Sequence, residues 1–140
     1  MESDRQGMVS SRRIGLDTSA IVKRFDTPEK VLMFDKGRLE LITLGGRVIG
    51  KASYWPGWKE AQSAPPSRSE EGQCEYVGVV LSGRAKVVTQ GRIAVDLTPG
   101  DFFYVTTDHA SWVVGYRPCE ILYLSGVETL VKRAASASQT

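Results

Sequence analysis

The fold of this chain is decided by the stretch from Tyr76 to Gly126, which reads YVGVVLSGRAKVVTQGRIAVDLTPGDFFYVTTDHASWVVGYRPCEILYLSG. It consists of short runs of β-branched and aromatic residues separated by glycine and proline. The clearest breaks are Ser82-Gly83, Gln90-Gly91-Arg92 and Pro99-Gly100-Asp101, which are typical of tight turns. Many short strands bounded by such turns predict an antiparallel sandwich or barrel.

The same pattern continues upstream. The segment 38–44 alternates polar and apolar residues, Gly45-Gly46 supplies the positive φ angles of a two-residue turn, and 47–54 returns as the partner strand. A further strand is predicted over 31–34, and a short helical turn over 127–133. Strands over 102–105, 111–115 and 119–124 bring the total to about eight to ten, which suits a closed all-β barrel with room for one small ligand.

The composition is that of one ordinary domain. With 140 residues, of which 41% are hydrophobic and 24% charged, the chain is long enough to bury a core and too short for a second domain. Because both ends are small and polar, we expect a flexible N-terminus over 1–13, a barrel over 14–133 and a flexible tail over 134–140. The 18 basic and 16 acidic residues are scattered, so they form no stripe for nucleic acid.

The N-terminal segment is polar and lacks the apolar core of a signal peptide. No later segment approaches the roughly 20 apolar residues that span a bilayer. We therefore expect a cytoplasmic protein with no membrane partner. In that reducing compartment Cys74 and Cys119 are expected to be free thiols.

Three motifs carry a resemblance to a known family. Gly78-Val79-Val80-Leu81-Ser82-Gly83-Arg84, Leu97-Thr98-Pro99-Gly100-Asp101 and His109-Ala110-Ser111-Trp112-Val113-Val114-Gly115 follow one another at matching spacing. In this order they resemble the cupin superfamily, and most of all its small single-domain bacterial members with degenerate metal-binding motifs. The resemblance implies a double-stranded β-helix, a jelly-roll-like barrel.

The family's metal ligands have no match at the usual positions. Metal-binding cupins resemble G(x)5HxH(x)3-4E(x)6G followed by G(x)5PxG(x)2H(x)3N. Counted along this chain, Tyr76 stands where the glutamate belongs and Ser111 where the second motif has its histidine, while 69–72 holds no histidine. A transition metal needs several convergent donors. We therefore predict no metal and no cofactor, with an irregular ligand set around His109 as the alternative.

The candidate catalytic residues are His109 and Tyr76. An imidazole gives or takes a proton near neutral pH, and Tyr76 is expected to point into the barrel because it alternates with Gly78 and Val80. For each a structural role is the alternative: a hydrogen bond within a turn for His109, core filling for Tyr76. The candidate ligand-binding residues, aromatic or polar and near the expected cavity, are Tyr54, Trp58, Glu60, Gln62, Phe103, Ser111 and Trp112.

Three functional hypotheses follow. The first is a metal-independent cupin that binds a small organic molecule and catalyses an acid–base isomerisation, cyclisation or elimination, with His109 as acid or base and Tyr76 orienting an oxygen. The second is a binding or accessory protein without turnover. The third is a metal-dependent dioxygenase or lyase. A homodimer is expected in each, because the apolar segment 31–34 is suited to covering a neighbour's sheet edge.

Overall fold

The computed structural model of the chain describes residues 19–60, 75–89, 93–106 and 109–139, with side chains as far as 135. These residues form ten β-strands and one α-helix. In chain order they are β1 (Lys30–Phe34), β2 (Gly37–Leu44), β3 (Arg47–Tyr54), β4 (Lys59–Glu60), β5 (Glu75–Ser82), β6 (Ala85–Thr89), β7 (Ala94–Leu97), β8 (Phe102–Thr106), β9 (His109–Val113), β10 (Cys119–Ser125) and α1 (Val127–Gln139). The predicted all-β class is confirmed.

The strands lie in two antiparallel sheets. The larger has the order β1-β2-β3-β10-β5-β8 and the smaller the order β4-β9-β6-β7. In the described ranges no strand of one sheet is hydrogen-bonded along its length to a strand of the other. The described strands therefore do not close into the expected barrel. The chain passes from β7 to β8 through the turn at Pro99-Gly100, but these two strands do not pair with each other. The result is two sheets that face each other.

The hairpin of β2 and β3 forms as the sequence predicts. Gly45 and Gly46 have φ angles of 54° and 82°, which a two-residue turn between twisted strands requires. The two strands then pair over their whole length, from Gly37 opposite Tyr54 to Leu44 opposite Arg47. This hairpin places Tyr54 on the inner face of the large sheet, at the edge of the core.

The core lies between the two sheets. On β5 the residues Tyr76 and Val80 are 2% and 1% exposed, so the inward direction predicted for Tyr76 is confirmed. Cys119 begins β10 fully buried as a free thiol. Burial raises the pKa of this thiol to about 11, so it packs as a small apolar group. Cys74 lies outside the described residues.

The helix α1 is longer than the short turn predicted over 127–133. Val127, Leu130 and Ala134 are buried at spacings of three and four residues, which gives the helix one apolar face. This face packs against the large sheet and continues past 133 into the segment that we expected to be a loose tail. The proposed domain bounds stay a prediction. No helix in the described ranges has the length and apolar character needed to cross a bilayer.

Candidate functional site

A small cavity lies between the two sheets. It has a volume of about 20 Å³, which is room for about one water molecule. Its polar lining consists of Tyr54, Glu60, Tyr76, His109, Ser111 and Tyr123. Six polar residues from five strands thus converge in an otherwise apolar core. We call this space the inner cavity.

His109 is held inside by the alternation of β9. His109, Ser111 and Val113 are buried, while the residues between them are partly exposed. The imidazole Nδ1 donates a hydrogen bond to the backbone carbonyl of Thr106, and Nε2 lies 3.4 Å from Oε1 of Glu60. The ring of Tyr76 stands perpendicular to the imidazole, with the centroids 5.9 Å apart. His109 is therefore fixed on three sides.

Glu60 joins the small sheet to the helix. It lies on β4 opposite Ser111 of β9, and its Oε2 accepts a hydrogen bond from Nη1 of Arg133 on α1. Burial raises the pKa of Glu60, but its contact with His109 and the charge of Arg133 outweigh this, so the pKa is lowered. Its carboxylate is therefore ionised although its side chain is only 17% exposed.

The three side chains form a row with Glu60 in the middle. Its Oε2 faces Arg133, and its Oε1 faces Nε2 of His109. Because Nδ1 of His109 is engaged with the backbone carbonyl of Thr106, Nε2 is the ring nitrogen that meets the carboxylate. Glu60 is thus held between a guanidinium and an imidazole.

The tyrosines nearby supply neutral hydroxyls. The hydroxyls of Tyr54 and Tyr123 lie 3.1 Å apart. Burial raises the pKa of both phenols well above the ordinary value, so both stay protonated and able to donate. The ring of Tyr54 also packs on that of Trp58, with the centroids 4.0 Å apart and the planes tilted by 32°. This pair forms an aromatic wall between the core and the helix.

A larger pocket lies on the other side of this wall. It has a volume of about 130 Å³, and Tyr54, Trp58, Glu60, Leu130 and Arg133 contribute to its lining. We call it the outer pocket. Glu60 lines both spaces, whereas His109 lines only the inner cavity. His109 therefore does not reach the outer pocket, because Glu60 stands between the imidazole and that pocket.

The structure brings most of the predicted site residues together. The inner cavity is lined by Tyr54, Trp58, Glu60, Tyr76, Phe103, His109 and Ser111. Trp112 does not line the cavity, contrary to the prediction. It lies on the face of β9 opposite His109, in register with Lys59 and Lys86, because side chains alternate along a strand. Gln62 lies outside the described residues. Whether the lining residues bind a ligand stays a prediction.

Two site residues, Leu130 and Arg133, are missing from the sequence prediction. Both lie on α1, and Arg133 meets Glu60 across 73 residues of sequence. The apolar spacing of Val127, Leu130 and Ala134 is visible in the sequence and indicates a helix packed on the domain. It does not indicate which strand the helix contacts. The hydrogen bond between Arg133 and Glu60 could therefore not be predicted from the sequence.

The metal centre typical of metal-binding cupins does not fit the residues present. In the described part of the chain no three His, Cys, Asp or Glu side chains converge. The donors near the expected place are His109 and Glu60, and the carboxylate oxygens of Glu60 already face Arg133 and His109. Because the guanidinium of Arg133 is held against this carboxylate, its positive charge would repel a metal ion at the same place.

The solved structures that are similar to this chain include three cupin-type or double-stranded β-helix proteins. Ectoine synthase from P. lautus superposes with a TM-score of 0.58 at 12% identity, covering 81% of this chain and 86% of that one. An RmlC-like cupin from Shewanella frigidimarina gives 0.55 at 14%, covering 79% and 96%. A protein with a double-stranded β-helix domain from Klebsiella pneumoniae gives 0.54 at 14%, covering 79% and 88%. No family profile and no curated protein matches the sequence.

Proposed function

We propose that this chain, which has the cupin fold of these structures, binds a small organic molecule in the outer pocket and exchanges a proton with it through Glu60. The observation that carries the proposal is one buried carboxylate that lines the pocket on one side and meets an imidazole on the other. The fold predicted from the sequence is confirmed, whereas the activity is a proposal. The proposed setting is the cytoplasm, without nucleic acid or membrane as partner.

The proposed chemistry divides the proton transfer between two residues. Isomerisation, cyclisation and elimination each need a proton taken from one atom and delivered to another. Glu60 faces the pocket and takes the catalytic role. His109 lies behind it, with Nε2 3.4 Å from Oε1 of Glu60, and is a positioning residue, because it does not line the outer pocket. The apolar surroundings exclude water and strengthen each hydrogen bond in this row.

Binding without turnover is the second candidate, and one observation favours it. The contacts with His109 and Arg133 keep the pKa of Glu60 low, which opposes proton uptake by the carboxylate. A pocket with this property holds a ligand in place without reacting with it. The two candidates share the ligand site and differ only in whether Glu60 changes its protonation state.

The experiment that tests the proposal starts from protein purified without chelators. We expect mass spectrometry of the denatured protein to release a small organic molecule, and elemental analysis to find transition metal far below one per chain. With that molecule rebound in D₂O, wild type should exchange one of its carbon-bound protons. Glu60→Gln and His109→Ala should slow this exchange, Glu60→Gln by about 100-fold.

Trp112→Phe is the matched control, since Trp112 lies on the opposite face of the same strand. It should leave the exchange rate unchanged. One transition metal per chain would contradict the proposed metal independence. Undiminished exchange in both site variants would disprove the acid–base roles, and binding without any exchange in wild type would favour the second candidate.

We also propose that the chain forms a homodimer through the β1 edge of the large sheet. Val31 and Met33 on this edge strand are 45% and 56% exposed, and an exposed apolar edge favours pairing with another strand. Light scattering after size exclusion at micromolar concentration should give twice the chain mass of 15.4 kDa. Met33→Lys should give the monomer, whereas Tyr104→Lys on the opposite edge should leave the dimer. A monomeric wild type would contradict the proposal.

A further inference from the structure

The charges around the outer pocket do not cancel. Arg133 and Lys59 contribute to its lining against the single negative charge of Glu60, which leaves an excess of one positive charge among the described lining residues. The aromatic wall of Tyr54 and Trp58 keeps the local dielectric low, so this excess acts strongly on a bound molecule. The pocket therefore favours a ligand that brings its own negative charge.

The size of the pocket limits the rest of the ligand. Its volume is about 130 Å³, close to the roughly 150 Å³ of an engineered apolar cavity that holds benzene. Phe34, Leu39 and Leu130 complete the apolar lining next to the aromatic wall. The body of the ligand is therefore about the size of one ring or a short branched chain.

We propose that the ligand of the outer pocket is a compact carboxylic acid, with its carboxylate on Arg133 and its apolar body against Trp58. The inference rests on the proposed function of this pocket and names its ligand class. A guanidinium binds a carboxylate through two parallel hydrogen bonds, whereas an amine of the same size would meet the excess positive charge. A neutral molecule gains only the apolar contacts.

This ligand would also change the state of Glu60. Arg133 is one of the two groups that keep the Glu60 carboxylate ionised. A ligand carboxylate on Arg133 draws part of that charge away from Glu60, which raises the proton affinity of Glu60. Binding of the acid thus prepares Glu60 to accept a proton only when the ligand is in place.

The test compares benzoate with benzamide, which have nearly the same shape and differ in charge. Each is titrated into the full chain while the indole N–H signals of the three tryptophans are followed by NMR, with Trp58→Phe used to assign the signal at the pocket. We expect the Trp58 signal to shift and the Trp112 signal to stay. A hydrogen-bonded charge contributes about 1.5 kcal/mol, so benzoate should bind about tenfold more tightly.

Arg133→Gln should bring the two affinities to within about twofold, and Lys132→Gln, the same charge change one residue away on the helix, should keep the preference for benzoate. Equal binding of both probes to wild type would overturn the inference and leave the pocket as a ligand site. No binding of either probe at millimolar concentration would overturn both the inference and the proposed function. The wild-type comparison decides the ligand class even if Arg133→Gln fails to fold.

Discussion

Glu60→Ala is expected to lower the free energy of unfolding by about 3–5 kcal/mol. The substitution removes the anion that pairs with Arg133 and contacts His109, at a place where the Glu60 side chain is 17% exposed and the Arg133 side chain 24%. Removing one member of a buried ion pair costs this much because the remaining charge stays in a low dielectric. Urea unfolding followed by tryptophan fluorescence measures the loss.

Asp96→Ala is the matched control for this loss. Asp96 also pairs with a cation, Lys86, at 3.3 Å across two strands, but its side chain is 64% exposed. An exposed pair of this kind contributes about 1 kcal/mol or less. If Glu60→Ala costs no more than Asp96→Ala, the row of Arg133, Glu60 and His109 is not the buried network described above.

The stability provided by Glu60 should also depend on pH. Its pKa is lower in the folded chain than the ordinary value of 4.5, so its contribution is fully present above pH 4.5 and is lost as the pH falls through the folded pKa. Glu60→Gln cannot titrate. The stability gap between wild type and Glu60→Gln should therefore be constant near neutral pH and shrink below pH 4.5.

The part of this site that rests on strand alternation could be predicted from the sequence. Tyr76 follows the alternation of β5, and His109 and Ser111 follow that of β9, so each could be placed on an inner face from its neighbours alone. The glycine turns likewise identify the β2–β3 hairpin. In these cases the local pattern is sufficient, because a period of two decides which face a side chain takes.

The role of Glu60 could not be predicted in the same way. The strand β4 has two residues, which is too short to show any alternation, and its place beside β9 is set by how the sheets pack. Arg133 depends on the docking of a helix whose contact residues are far apart in sequence. The order in which these side chains meet is thus a tertiary property that no local sequence pattern carries.

Sheet closure depends on tertiary packing as well. Counting eight to ten strands allows a closed barrel, but closure requires the edge strands of one sheet to pair with those of the other. In the described residues β1 and β8 are the edges of the large sheet, and β4 and β7 those of the small one. The strand pattern is the same in either arrangement, so the count alone could not decide between them.

Gly83→Ala is expected to destabilise the chain by about 2–5 kcal/mol, since it adds two separate costs. Gly83 has a φ of 79°, where an L-residue loses about 1–2 kcal/mol. An added Cβ would also lie 2.1 Å from the carbonyl oxygen of Pro118 and 2.5 Å from Cα of Cys119. Both are backbone atoms at the start of β10, which cannot rotate away as a flexible side chain can, and overpacking of this kind costs about 1–3 kcal/mol.

Gly100→Ala separates the two costs. Gly100 also has a positive φ, 93°, but an added Cβ would meet nothing within 4 Å, so only the conformational cost of about 1–2 kcal/mol remains. Denaturant midpoints of both variants measure the difference. Equal losses would mean that β10 does not approach Gly83 closely.

The loss at Gly83 should reach the site as well as the fold. Cys119 pairs with Tyr54 across the β10–β3 ladder, and β10 also carries Tyr123, whose hydroxyl meets that of Tyr54. The start of β10 must shift to make room for the added methyl group at position 83. Because Tyr54 is paired with this part of β10, one side of the aromatic wall shifts with it. We expect Gly83→Ala to weaken benzoate binding at Trp58 even below its unfolding transition, whereas Gly100→Ala should leave that binding as in wild type.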